Sequence, residues 1–181
     1  MQDLLELAQR VGRGLQSRDL RIVLAESCTA GLVSSLLSTV PGISDHFCGS
    51  AVVYRNASKV EWLHVSEADL ENPRIGPVSP QVAEQMCRGA LERTPEATLA
   101  ASVTGHLGPD APPDQDGMVY IAVLFRDAAQ PTIQRRTLTG ITPPGVPLRQ
   151  TRHHDAARMV LDAIDHALEK VPPHTGTVRT A

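Results

Sequence analysis

The chain has 181 residues, a formal net charge of -3 and 20% charged residues, which suits one α/β domain with a sizeable core and leaves too little for two. No run of Lys or Arg is long enough for a nucleic-acid footprint, so a small neutral or anionic ligand is the better expectation. The opening MQDLLELAQR carries acids where a secretory leader needs bases, and no later apolar stretch is long enough to span a bilayer, so the expected setting is cytoplasmic, with no membrane partner.

Leu4, Leu7, Ala8, Val11 and Leu15 fall on one face of a first helix, with Asp3 placed to cap it. The run Ile22, Val23, Leu24 then stops at Glu26, and Ser27, Cys28, Thr29 and Gly31 lead into the periodic segment Leu32, Val33, Leu36, Leu37, Val40. That pattern reads as strand, tight turn, helix. Pro41-Gly42 ends the helix, and Phe47 to Tyr54 reads as a second strand with Tyr54 at its exit. Asn56 is a good N-cap for a short helix that puts Lys59 at about its third position, with Trp62 as a core residue. Ser66 and Asp69 form a capping box, and Ser79-Pro80 starts the helix carrying Val82, Met86, Ala90 and Leu91. Ala97 to Val103 is a third strand running into the polar corner Thr104 to Asp110, followed by a Pro- and Asp-rich surface loop. Met118 to Phe125 reads as a strand covered on both faces and Thr132 to Leu138 as an edge strand. A last helix, with Arg152 near its start and Ala156, Val160, Leu161, Ile164 and Leu168 on its apolar face, ends at Pro172-Pro173. Residues 1–171 form the expected domain and residues 172–181 a flexible tail. Alternating strands and helices make this an α/β layered fold with a mixed, largely parallel sheet.

Three strand-end loops carry reactive groups: Glu26 to Gly31, Tyr54 to Lys59 and Thr104 to Asp110. Sites in α/β sheets gather at the carboxyl ends of strands. Ser27 and Thr29 at a helix start are either caps or groups that share the helix N-terminus with a developing oxyanion. Lys59 near a helix N-terminus, if also partly buried, loses its proton more easily and becomes a base; an ordinary lysine is a solvated surface charge. Tyr54 could relay a proton between hydroxyl and amine. Cys28 competes with Ser27 as nucleophile, since a thiol at a helix N-terminus is acidified, and His106 is the candidate partner for it. His153 and His154 point about 100 degrees apart on a helix and do not converge on a metal. The three cysteines, Cys28, Cys48 and Cys87, are odd in number and lack a C-x-x-C pair, which argues against disulfides or a zinc knuckle. Cys48 and Cys87 read as buried thiols.

AESCTAG from Ala25 to Gly31, then Tyr54-Arg55-Asn56-Ala57-Ser58-Lys59, Pro77-Val78-Ser79, Val103-Thr104-Gly105, Gly108-Pro109 and Gly117-Met118-Val119-Tyr120 occur in a recognisable order. Over roughly residues 3 to 170 the chain resembles the C-terminal domain of the CinA (competence-damage-inducible) family, whose active members are nicotinamide mononucleotide amidohydrolases. The resemblance implies a single three-layer α/β/α domain that deamidates the pyridine carboxamide without a cofactor or metal. Carried onto this sequence, Ser27 is the nucleophile, Lys59 its base and Tyr54 a positioning or relaying hydroxyl, with the oxyanion held by backbone N–H groups near Thr29 to Gly31. Thr29, Ala30, Gly31, Thr104 and Gly105 would contact a pyridine nucleotide, and Arg152 would reach its phosphate.

Two departures stand out. Where the family has paired glycines this chain has Ala30-Gly31, and its Gly/Ala-rich corner has become TGHLGPD, with Leu107 bulky and Asp110 negative. The alternatives to an amidohydrolase are therefore a catalytically silent paralogue that binds a nucleotide or protein partner through the same corner, and a hydrolase acting through Cys28. A homo-oligomer is compatible with all three.

Overall fold

The computed structural model describes residues 2–174. In chain order it contains α1 (Gln2–Gln16), β1 (Ile22–Glu26), α2 (Leu32–Ser38), a 3-10 turn (Ile43–Asp45), β2 (Phe47–Val52), α3 (Asn56–Leu63), α4 (Glu67–Glu71), α5 (Pro80–Arg93), β3 (Leu99–Gly105), β4 (Met118–Phe125), β5 (Thr132–Thr137) and α6 (Leu148–Glu169). The five strands form one mixed sheet in the order β2-β1-β3-β4-β5. β1 is parallel to both β2 and β3, while β4 pairs antiparallel with β3 and with β5.

Helices cover both faces. Leu4, Val11, Leu15, Leu37, Val160, Leu161 and Ile164 from α1, α2 and α6 pack on one side against Ile22, Leu24, Leu99 and Ile121. On the other side Leu63, Leu70, Val82, Met86 and Leu91 from α3, α4 and α5 pack against Val23, Ala25, Ala100, Ala122 and Leu124. All five residues of β1 are buried, as the unbroken apolar run requires for a strand covered on both faces. Gly89 brings α3 onto α5: a Cβ there would stand 2.0 Å from the Leu63 carbonyl oxygen, so any side chain would push α3 outward.

Several boundaries differ from the sequence expectation. β2 ends at Val52, two residues before Tyr54, and β3 extends through Thr104 and Gly105, which pair with Tyr120 and Val119 of β4. The N-cap position of α3 is Arg55, in extended conformation and with no side-chain cap, so Asn56 is the first helical residue and Lys59 the fourth. Trp62 is 50% exposed instead of core, because this short helix buries Lys59 and Leu63 and turns Trp62 away. Cys87 is buried, but Cys48 is only half-buried because it lies on an edge strand. Asp3 sits inside the first turn of α1 and faces Arg158 at 3.5 Å. Ser66 and Ser79 do cap α4 and α5, accepting from the Asp69 and Val82 N–H groups. Of the expected tail, His174 still donates its backbone N–H to the Ser17 carbonyl, and residues 175–181 lie outside the described residues.

The start of α2 is closed in an unusual way. Gly31 occupies its N-cap position with φ 94° and no side chain to offer. The acceptor comes from Glu26, the last residue of β1 and 1% exposed. Its carboxylate accepts from the N–H groups of Gly31 (3.1 Å), Val33 (3.1 Å) and Ser34 (2.9 Å), from Thr29 Oγ1 (2.7 Å) and from Ser50 Oγ (3.2 Å). Negative charge and acceptor capacity meet the positive end of the helix. Glu26→Ala leaves these buried donors without an acceptor and should cost at least about 3 kcal/mol in denaturant unfolding. Glu26→Gln, which retains one acceptor oxygen, should lose less.

Candidate functional site

The sheet has its topological switch at β1: the chain leaves β1 for β2 through α2 on one face and reaches β3 through α3, α4 and α5 on the other. A crevice opens at such a point between the carboxyl ends of the two diverging strands. Here it is a cavity of about 460 Å³ whose walls include Ser27, Cys28, Tyr54, Asn56, Lys59, Thr104, Gly105, His106, Leu107, Asp110 and Arg149. Ser27 follows β1 directly and donates its N–H to the Val103 carbonyl at 3.0 Å. Among the described residues its hydroxyl has no hydrogen-bond partner. Gly105 lets β3 pass close to β4 beside it; a Cβ there would come within 2.3 Å of Val119 Cγ1.

Lys59 enters from the α3 side. It is 2% exposed, and its ammonium donates to the Pro77 carbonyl and to Thr104 Oγ1, both at 3.2 Å. Thr104 in turn donates to the same carbonyl at 2.7 Å. Among the described residues no carboxylate pairs with this amine, and burial pushes its pKa down from 10.5 to about 8. Burial thus gives Lys59 a larger neutral fraction near pH 7 than a solvated lysine has.

Ser27, Tyr54, Lys59, Thr104 and Gly105, all singled out from the sequence, share this cavity. Ser27 and Lys59 are not hydrogen-bonded to each other, and Tyr54 hydrogen-bonds neither: 54% exposed, its hydroxyl accepts from Arg149 at 2.8 Å. Thr29, Ala30, Gly31 and Arg152 lie outside this cavity. Thr29 is spent on Glu26. Ala30 takes a left-handed φ of 49° and lines an adjoining recess of about 440 Å³, which shares Cys28, Tyr54, Leu107 and Arg149 with the first. Of the expected oxyanion donors, the Ala30 N–H is committed to the Ser27 carbonyl and the Gly31 N–H to Glu26, while the Thr29 N–H has no acceptor among the described residues.

Arg152 is buried and forms a two-pronged pair with Asp116, both contacts 2.7 Å, which holds the Asp116 carboxyl below its ordinary range. The pair fastens the loop that walls the cavity to α6. The arginine that faces the cavity is Arg149, which also donates to the Gly108 carbonyl at 2.5 Å. Sequence reasoning missed it because the helix start was read near Arg152; Pro147 as the cap position puts Arg149 in the first turn. Glu26 was missed as well, although an acid just ahead of a helix is itself a signal.

Cys28 lines the cavity, but burial pushes its pKa up to about 12. The α2 N–H groups that would have acidified it belong to Glu26 and burial disfavours the thiolate, which weighs against Cys28 as nucleophile. His153 bonds the Thr29 carbonyl at 2.7 Å. Among the described residues no group of three or more His, Cys, Asp and Glu side chains could hold a metal ion, and no helix is long and apolar enough to cross a membrane.

Residues 4–167 match the model of the CinA C-terminal domain family. Over 118 residues, 64% of this chain, it is 42% identical to a CinA-like protein from Desulfotalea psychrophila, of which the match covers 28%. A putative competence-damage inducible protein from Halothermothrix orenii is 36% identical over 124 residues, 67% of this chain and 29% of that protein. The chain thus spans under a third of the length of these curated relatives. Among solved structures, competence damage-inducible protein A from Klebsiella pneumoniae superposes with TM-score 0.82 at 26% identity, covering 93% of this chain and 99% of that one. A competence/damage inducible protein from Agrobacterium tumefaciens gives 0.80 at 29% identity, covering 93% and 96%. With a family model matched over nearly the whole chain, the chain is a member of the CinA C-terminal domain family.

Proposed function

We propose that this chain is an amidohydrolase that converts the carboxamide of nicotinamide mononucleotide to the carboxylate, releasing ammonia. The observation that carries the reading is a lysine buried, among the described residues, without a carboxylate partner, its pKa pushed down to about 8, in the same cavity as a serine hydroxyl that no described residue engages. Neutral Lys59 takes the proton of Ser27 Oγ–H as the oxygen attacks the carboxamide carbon. The tetrahedral intermediate collapses, and Lys59 returns that proton to the departing nitrogen, giving ammonia and an ester at Ser27. Water, deprotonated by Lys59, cleaves the ester and restores both side chains. The Thr29 N–H, which has no hydrogen-bond acceptor among the described residues, is the donor we assign to the oxyanion. Thr104 and the Pro77 carbonyl hold the amine in place.

Arg149 supplies the positive charge suited to a phosphate at the cavity mouth, and Tyr54, which it touches, offers a ring face to the pyridine. Asp110 on the same wall disfavours a second anionic group nearby. This suits a mononucleotide better than a more highly charged ligand.

Incubation with nicotinamide mononucleotide should release ammonia, and Ser27→Ala should lower kcat by roughly a thousandfold or more. Ligand-induced thermal stabilisation without product in the unaltered protein would instead identify a silent binding paralogue. Because Lys59 must be neutral to act, kcat/KM should climb with pH through about 8 and then level off. Lys59→Met should abolish turnover and yet stabilise the fold at pH 7 by about 1–3 kcal/mol. The folded-state pKa lies below the unfolded one, so the cost of burying the charge is present below pH 8 and is relieved as pH rises from 8 to 10.5. Arg149→Ala should raise KM for the mononucleotide by about 10- to 100-fold, with little effect on kcat.

A further inference from the structure

Tyr54 shares a cavity with Ser27 and Lys59 yet hydrogen-bonds neither, while its hydroxyl is held by Arg149 at 2.8 Å. That bond occupies a lone pair of the phenol oxygen, and among the described residues the phenol proton has no acceptor. The two side chains come from distant parts of the chain: Tyr54 follows β2, and Arg149 sits in the first turn of α6. The other terminal nitrogen of the same guanidinium donates to the Gly108 carbonyl. The pair belongs to the walls of two spaces, the cavity of about 460 Å³ and the adjoining recess of about 440 Å³. Both residues are exposed, so either side chain can swing into open space with little packing lost.

An anion in the cavity changes the balance. A phosphate offers Arg149 negative charge and two oxygens that match its fork, where the phenol offers one neutral oxygen, so a phosphate displaces the phenol. Resting on the amidohydrolase reading above, we propose that Arg149 is a latch on Tyr54 which the ligand's phosphate opens, so that the phosphate governs turnover as well as binding. Released, Tyr54 spans the gap between Ser27 and Lys59: its oxygen accepts the Ser27 proton while its own proton passes to Lys59, and the net transfer from serine to lysine is unchanged. A nucleoside lacking the phosphate enters the cavity and leaves the latch shut. Specificity for the phosphorylated substrate then lies in kcat, because binding energy from a remote group is used to assemble the reacting one.

Nicotinamide riboside, the same carboxamide without the phosphate, tests this against the mononucleotide. Its kcat should be lower by about a hundredfold or more, and free phosphite should raise its turnover by about tenfold or more. Arg149→Ala, with the latch removed, should turn over the riboside faster than the unaltered chain does and ignore phosphite. Tyr54→Phe should lose the phosphite response. Equal kcat for riboside and mononucleotide would overturn the proposal. A readout free of turnover comes from the chain's two tyrosines. In magnetic resonance spectra of protein with isotope-labelled tyrosine, Tyr54→Phe identifies the Tyr54 signal, and Tyr120, in β4, reports that each variant is folded. Inorganic phosphate titrated into the unaltered protein should move the Tyr54 signal toward its position in phosphate-free Arg149→Ala. A Tyr54 signal that is the same in Arg149→Ala as in the unaltered chain would mean that there is no latch. Movement of that signal with no ammonia released from the mononucleotide would sink the amidohydrolase reading and leave the latch standing.

Discussion

A carboxylate closes the first turn of α2, and most of the site's geometry follows from that contact. Glu26 ends a strand buried on both faces and reaches over the following turn to take three backbone N–H groups and two hydroxyls. The turn between is short and crowded: Thr29 is tied down, Ala30 sits in the left-handed region and Gly31 opens the helix. Ser27 is thereby held at the end of β1 with its hydroxyl free for the cavity. A second consequence concerns anions. A helix N-terminus is the usual place for a phosphate in an α/β protein, but here its donors are already satisfied from within. An anionic ligand in the cavity is thus left to other groups than the α2 terminus, and Arg149 is the one arginine on the cavity wall among the described residues.

Lys59 poses the opposite problem, a positive group taken out of water with, among the described residues, only neutral oxygens to meet it. Thr104 and Pro77 satisfy two of its donors, yet neither is a counter-charge, so burial dominates. An amine kept this way is costly to stability, and its readier loss of a proton is what suits it to the proposed role of base. Gly89 contributes at a distance. By letting the end of α3 lie directly on α5 it fixes the helix that carries Lys59, and the same seating leaves Trp62 on the outside.

The alternation of strands and helices, the buried β1, the Ser66 and Ser79 caps and the three strand-end loops were all legible because each rests on local chemistry: hydrophobic period, cap residues, turn residues. What escaped depended on contacts between distant segments. The outward turn of Trp62 follows from which neighbours α3 packs against, and an apolar side chain in a short helix carries no mark of that. The β3 boundary moved because its last residues find partners in β4, fifteen or so positions onward. Arg149 and Arg152 are three apart on one helix, and nothing local says which of them is consumed by Asp116.

That last distinction shows how the cavity wall is built. The backbone at Gly108 and Gly117 lies so close to the Arg152 guanidinium that a Cβ would stand 2.7 Å from Nη1 at the first and 3.3 Å from Cζ at the second. A large planar cation is therefore packed between loop and helix, with Asp116 taking two of its donors and the Leu107 and Thr139 carbonyls lying at the edge of hydrogen-bond reach. The segment that brings His106, Leu107 and Asp110 to the cavity is anchored by this cation, and the bulk of Leu107 is absorbed by burial against the core. The departures from a glycine-rich corner thus alter the lining of the cavity while its position against α6 is held by charge. One turn earlier on the same helix, Arg149 bonds, among the described residues, a carbonyl and a phenol and no carboxylate, which leaves it available to an anion that enters the cavity.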